Sequence, residues 1–196
     1  MTFAAFLTQY EATGREKADG YFPAHFSGMS DDERARARAM MLDRALDGDT
    51  IDMNGLRLIG DDGTAVRLEA AGTETVRFGF RLDIVRRETL FGLTGDPRHL
   101  AGCLTWLDDA DPSAREFAAE ALARHRLPPD LADPLARRLA DGQHEDIALP
   151  LAIAWLGTHG LDASAAEDFQ RHLPFIRSVL NTPPARRPAV LATGVR

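Results

Sequence analysis

Residues 84–160 carry one pattern several times at a spacing of about 30 residues, the length of a helix pair, and that period limits the possible folds more than any other feature of the chain. "IVRRETLFGLTG" (84–95) aligns with "SAREFAAEALAR" (113–124), placing Val85 on Ala114, Arg86 on Arg115 and Leu93 on Leu122, an offset of 29. Downstream, "DLADPLARRLADG" (130–142) and "HEDIALPLAIAWLGTHG" (144–160) read as a further pair. A unit of this size cannot bury its apolar face alone, so neighbours must stack. The period predicts a mainly α protein, a short right-handed α-solenoid.

The best-defined unit is "LDDADPSAREFAAEALARH" (107–125). Asp111 fits an N-cap, where its carboxylate accepts a hydrogen bond from an orphan amide, and Pro112 fits the first helical position, where no amide is needed. Ala114, Phe117, Ala118, Ala121 and Leu122 then fall on one helical face. Alanines on a packed face predict that another helix approaches closely. Asp96-Pro97 repeats the device ahead of Leu100, Cys103, Leu104 and Leu107.

The stretch from Val85 to His125 resembles HEAT-like repeats of the phycobilisome-lyase type, over about residues 84–157 in all. The resemblance implies a stacking ladder between an aspartate in the inter-helix turn and an arginine six residues on, here Asp109 and Arg115. The next unit keeps the aspartate as Asp141, has Ile147 at the arginine position, and carries Pro150, which predicts a kink in its second helix. Repeats of this kind serve many unrelated roles, so the resemblance speaks to fold.

Elsewhere, residues 2–18 and 31–47 read as helices, the second opened by the capping box Ser30-Asp31-Asp32-Glu33. Between them "GYFPAHF" is too apolar for a solvated linker and is expected to pack. Residues 1–50 are thus expected to form a helical cap, 51–180 the repeat body and 181–196 a mobile, proline-rich tail, within one structural domain. In "GLRLIGDDGTAVRLEA" (55–70), Leu56/Leu58 and Val66/Leu68 alternate about Gly60-Asp61-Asp62-Gly63, which reads as a small β-hairpin over 55–69; a helix from "TAVRLEAA" is the alternative. A second capping box, Ser164 to Glu167, opens a helix to about Leu180, bent at Pro174.

Acidic residues outnumber basic ones 30 to 23, for a net charge of −7. Nucleic-acid or membrane-surface binders need a basic stripe, so neither partner is expected. No apolar run is long enough to span a bilayer and the N-terminus has no basic leader, which predicts a cytoplasmic protein. The single cysteine, Cys103, sits among leucines and is expected in the core, as are Trp106 and Trp155. No zinc-helix, phosphate-loop, dinucleotide or nucleophile-elbow motif occurs, so no cofactor, metal or catalytic residue is expected.

Stacking brings equivalent turns to one edge, which would align Asp108, Asp111, Asp141, Glu145 and Asp146. Such an edge suits a basic protein. The expected role is a non-catalytic protein-binding module, by analogy an immunity protein that neutralises a cognate bacterial toxin. The alternatives are a HEAT-like enzyme acting on a nucleobase or a bilin, and a general assembly adaptor.

Overall fold

In the computed structural model, residues 3–72, 79–162 and 165–194 are described, and they are mainly helical, with no strand among them. They divide into two compact units, at His99 and Leu100. The division falls well downstream of the boundary expected at residue 50.

The first unit holds α1 (Phe3–Glu11), α2 (Gly14–Ala18), α3 (Pro23–Phe26), α4 (Asp31–Leu46), α5 (Thr50–Ile59), α6 (Asp62–Ala71) and α7 (Phe80–Thr94). The single helix expected over 2–18 is broken between α1 and α2, where Gly14 adopts a φ of 57° that favours glycine. Ser30 and Glu33 form the expected capping box on α4. Phe6, Phe26, Met41, Met53, Leu56, Leu68 and Leu90 belong to one buried cluster. Residues 1–50 therefore share a core with α5, α6 and α7; burying each such side chain stabilises the fold by about 1.5–3 kcal/mol. The "GYFPAHF" segment packs as expected at Phe26, while Phe22 is exposed.

Residues 55–69 lie in α5 and α6, with Gly60 and Asp61 between them, so the hairpin does not form; the alternative helix over "TAVRLEAA" does, within α6, and α5 has no counterpart in either reading. Asp49 caps α5 by accepting from the amides of Ile51 and Asp52. Asp61 caps α6 through Thr64, in a reciprocal box that also bonds the Asp61 amide. Met53, Leu56 and Ile59 then share a buried helical face. Of the four residues whose alternation suggested strands, Leu58 and Val66 face solvent. Gly55 permits the close approach of α5: a Cβ there would lie 2.5 Å from the Tyr21 ring.

Helix α8 (Pro97–Ala101) spans the division. The second unit continues through a 3-10 segment (Gly102–Asp108), α9 (Pro112–Ala123), a 3-10 turn (Pro129–Leu131), α10 (Ala132–Ala140), a 3-10 segment (Gly142–Ile147), α11 (Ala148–Gly157), α12 (Ala166–Leu180), a 3-10 turn (Pro184–Arg186) and α13 (Arg187–Thr193). Asp111 caps α9 by accepting from Ser113 N at 2.8 Å, with Pro112 at the first position. Helix α9 packs against Gly102–Asp108 on one side and α11 on the other, and α10 packs on α11 and α13. Ala114, Ala118, Ala119, Ala121 and Leu122 are fully buried, and so is Cys103. Trp155 is buried and Trp106 half-buried.

Two expectations are corrected here. Pro150 does not kink α11, because the helix begins only at Ala148 and a first-turn proline lacks an amide that would have had no acceptor. The irregularity lies upstream, at His144, with φ −106° and ψ 23°. Nor is the tail loose through residue 193: α13 packs on α10 and α12, and Arg187 is 1% exposed. The capping box expected at Ser164 falls outside the described residues.

Candidate functional site

In the second unit the turns at 108–111 and 141–146 are joined by Arg115 and by the contact of His144 with Asp108, and Arg138 ties the first turn to α10. Arg115, in the first turn beyond the Asp111 cap, donates from Nη1 to the carbonyl oxygens of Asp109 (2.9 Å) and Ala110 (3.3 Å). Its Nε and Nη2 donate to the Asp146 carboxylate, at 3.2 and 2.5 Å. Arg138 reaches the other way, bonding Asp108 through Nε (3.1 Å) and Nη2, with further bonds to the Pro134 and Leu104 carbonyls.

This arrangement corrects the expected ladder. Arg115 does occupy the turn of Asp109, but it holds that residue's carbonyl. Its carboxylate partner is Asp146, 31 residues on. The Asp109 side chain instead accepts from the Asp111 amide at 2.8 Å.

Each expected edge acid is exposed, and each has a place in the chain's own network. The Arg138 guanidinium holds the Asp108 carboxyl below its ordinary range, against the opposing effect of burial and with help from His144. Asp111 and Asp141 cap through the Ser113 and Gln143 amides. Glu145 receives two hydrogen bonds from Arg187, at 2.7 and 2.6 Å. Arg187 also donates to the carbonyls of Leu139, Val179 and Thr182, so a buried cation is neutralised by one acid at the edge.

Between the turns lies a cleft of about 270 Å³, lined by Asp108, Asp109, Ala110, Arg115, Gln143 and His144. His144 is 7% exposed; its Nε2 lies 3.0 Å from Asp108 Oδ1, while its buried Nδ1 has no hydrogen-bond partner. Asp141 Oδ2 is 3.8 Å from that Nδ1.

The first unit contains a polar centre that sequence reasoning missed. Asp52 is fully buried, and Tyr21 Oη donates to its Oδ1 at 2.5 Å. Lys17 Nζ and Arg44 Nη1 flank Oδ2 at 3.5 and 3.9 Å, and Lys17 also pairs with Asp49. Burial raises the Asp52 pKa and, more strongly, that of Tyr21, whose bond to Asp52 adds to the rise. For Asp49 burial acts upward too, but the Lys17 ammonium and the capped amides outweigh it and lower the pKa. Lys17 is the only lysine in the chain, which is the one signal that singled out this position.

Beside this centre, a groove of about 460 Å³ is lined by Tyr21, Asn54, Arg57 and Leu58 among others. Asp52 is not on its wall, while Tyr21 belongs to both, and the centre ties α2, the Tyr21 segment, α4 and α5 together. Among the described residues, no three His, Cys, Asp or Glu side chains gather to hold a metal, and no helix is long and apolar enough to cross a membrane. No family model, curated protein or solved structure matches this chain.

Proposed function

We propose that this chain is a non-catalytic binding module that takes a basic protein along the edge formed by Asp108, Asp111, Asp141, Glu145 and Asp146. One observation carries the reading: at this edge Arg115 and Arg138 each use four of their five N–H donors within the chain, while the acids keep acceptor positions open. Arg115 and Arg138 donate through all three nitrogens to acceptors within the chain. Asp111 and Asp141 each bind one amide through Oδ1, and a carboxylate accepts at roughly four positions. Internal pairing therefore leaves a surplus of exposed acceptors at fixed positions, and the net charge of −7 draws cations toward them. The stack of helix pairs in the second unit supplies a rigid mount. Neutralising a toxin domain with a basic surface is the role this chemistry suits best; an assembly adaptor would use the same edge.

The test uses Asp111→Ser with Asp141→Ser, since serine retains the cap while removing the charge. Association with an oligoarginine peptide is followed against ionic strength. The wild type should bind fast at low salt and lose affinity steeply as salt rises, and the double variant should lose most of that dependence. Equal behaviour of the two proteins would show that the edge is helix capping alone.

A further inference from the structure

The groove beside the Asp52 centre is built from three segments of the first unit: α5, residues 18–21 between α2 and α3, and α7. Helix α5 turns Met53, Leu56 and Ile59 to the core. Its other face carries Ile51, Asn54 and Leu58, neighbours at spacings of three and four, and these form one wall of the groove, with Tyr21 beside them. Its volume of about 460 Å³ falls in the range of small-ligand sites. Two charged side chains line it, Asp19 and Arg57.

These two charges are opposite, yet they do not meet. Arg57 donates from Nη1 to the neutral amide oxygen of Asn54 at 3.2 Å, and among the described residues it makes no ion pair. Four of its five N–H donors are therefore open. Its stem rests on α7 at Gly92, where a Cβ would lie 3.2 Å from Nε, so the guanidinium is held from two sides without being neutralised. The Asp19 side chain likewise makes no hydrogen bond or ion pair among the described residues. Elsewhere the chain pairs comparable arginines: Arg87 with Asp83, Arg98 with Asp96 and Arg138 with Asp108.

We infer that this groove binds a short peptide with both ends free, its terminal carboxylate on Arg57 and its terminal ammonium on Asp19. The planar fork of a guanidinium receives a carboxylate through two parallel hydrogen bonds, and a carboxylate accepts directly from an ammonium. The two charges sit on separate segments and make no contact, so the ligand's own charges must also stand apart. They do so at the two ends of a peptide; in a single amino acid they share one carbon. Ile51, Leu58 and the Tyr21 ring give apolar surface to the side chains between. This site lies in the first unit and is independent of the acidic edge, so its failure would leave that reading untouched.

The chain has two tyrosines and Tyr21 lies on the groove wall, so full-length protein labelled with 13C at tyrosine reports binding through one ring, assigned with Tyr10→Phe. Trileucine, its N-acetyl form, its C-terminal amide and free leucine are titrated in turn. Trileucine should shift the Tyr21 signal saturably, and the two blocked peptides and leucine should each bind at least about fivefold more weakly. Arg57→Gln should bind trileucine and its amide alike, and Asp19→Asn should bind trileucine and its acetylated form alike, because each variant lacks the charge that the blocked end would have met. Both side chains are exposed, so the variants are expected to fold. The peptide site is overturned by the absence of a saturable shift up to about 10 mM, or by a blocked peptide or leucine that matches trileucine on the wild type.

Discussion

Arg187, almost completely buried in α13, binds Glu145 through two parallel hydrogen bonds across 42 residues of sequence. Removing the acid leaves a guanidinium inside the protein with only carbonyls around it. Glu145→Ala is therefore expected to destabilise the chain by about 2–3 kcal/mol, toward the lower side of broken buried pairs because the glutamate itself is half exposed. Arg187→Met added to Glu145→Ala should restore part of the loss, since an apolar side chain of similar length needs no counter-charge. Urea unfolding of the two variants checks both statements; a neutral Glu145→Ala would show that the carbonyls alone suffice for Arg187.

Arg115 is expected to couple to Asp146 and not to the Asp109 carboxylate. In a double-mutant cycle, Arg115→Ala and Asp146→Ala should interact by about 0.5–1.5 kcal/mol, while Arg115→Ala and Asp109→Ala should be close to additive. The opposite pattern would restore the ladder within a single turn.

Tyr21→Phe keeps the ring but leaves Asp52 Oδ1 buried without its donor. A loss of about 1–3 kcal/mol is expected. Phe22→Ala, one residue on but exposed, should stay within about 0.5 kcal/mol. Thermal melts of the pair distinguish the polar centre from general packing of the aromatic segment.

Stability should respond to pH through Asp52 in an uncommon direction for a carboxylate. Burial raises its folded pKa above 3.8, so the folded state holds the proton more tightly. The stabilisation this gives is complete below the unfolded value and is lost as pH rises through the folded one. The stability of wild type relative to Asp52→Asn should therefore fall as pH increases above about 4. Asp108 acts in the opposite sense: its lowered pKa stabilises above the unfolded value and is lost as pH falls. A wild-type advantage over Asp52→Asn that grows with pH would contradict the raised value.

The helical class and the α9 cap were legible because both rest on local chemistry, an aspartate and a proline at adjacent positions ahead of a 3.6-residue period. Residues 55–69 were misleading for an equally local reason. Leu58 and Val66 are exposed apolar residues, and they completed a false alternation; Asp49 and the Asp61–Thr64 box were the signals that argued for helices. The period alone brings the turns at 108–111 and 141–146 next to one another, as the Arg115–Asp146 and His144–Asp108 contacts do. The partners of the acids in those turns could not be read from it, since Arg115 and Asp146 are 31 residues apart and Arg187 and Glu145 are 42 apart. Burial of an arginine in a proline-rich tail runs against composition, and its three carbonyl and two carboxylate acceptors explain it. The Asp52 centre draws Lys17, Tyr21 and Arg44 from three separate segments, and no spacing rule connects them.

The alanines buried along α9 have a further consequence. Ala114, Ala118, Ala119 and Ala121 have no side-chain rotamers, so seating them against their neighbours loses no side-chain conformational entropy. The same feature removes slack. A leucine or methionine contact can absorb a small displacement by changing rotamer, whereas a methyl contact can only separate or collide. Where α9 meets its neighbours through these methyl groups, the fit is set by the backbone positions alone.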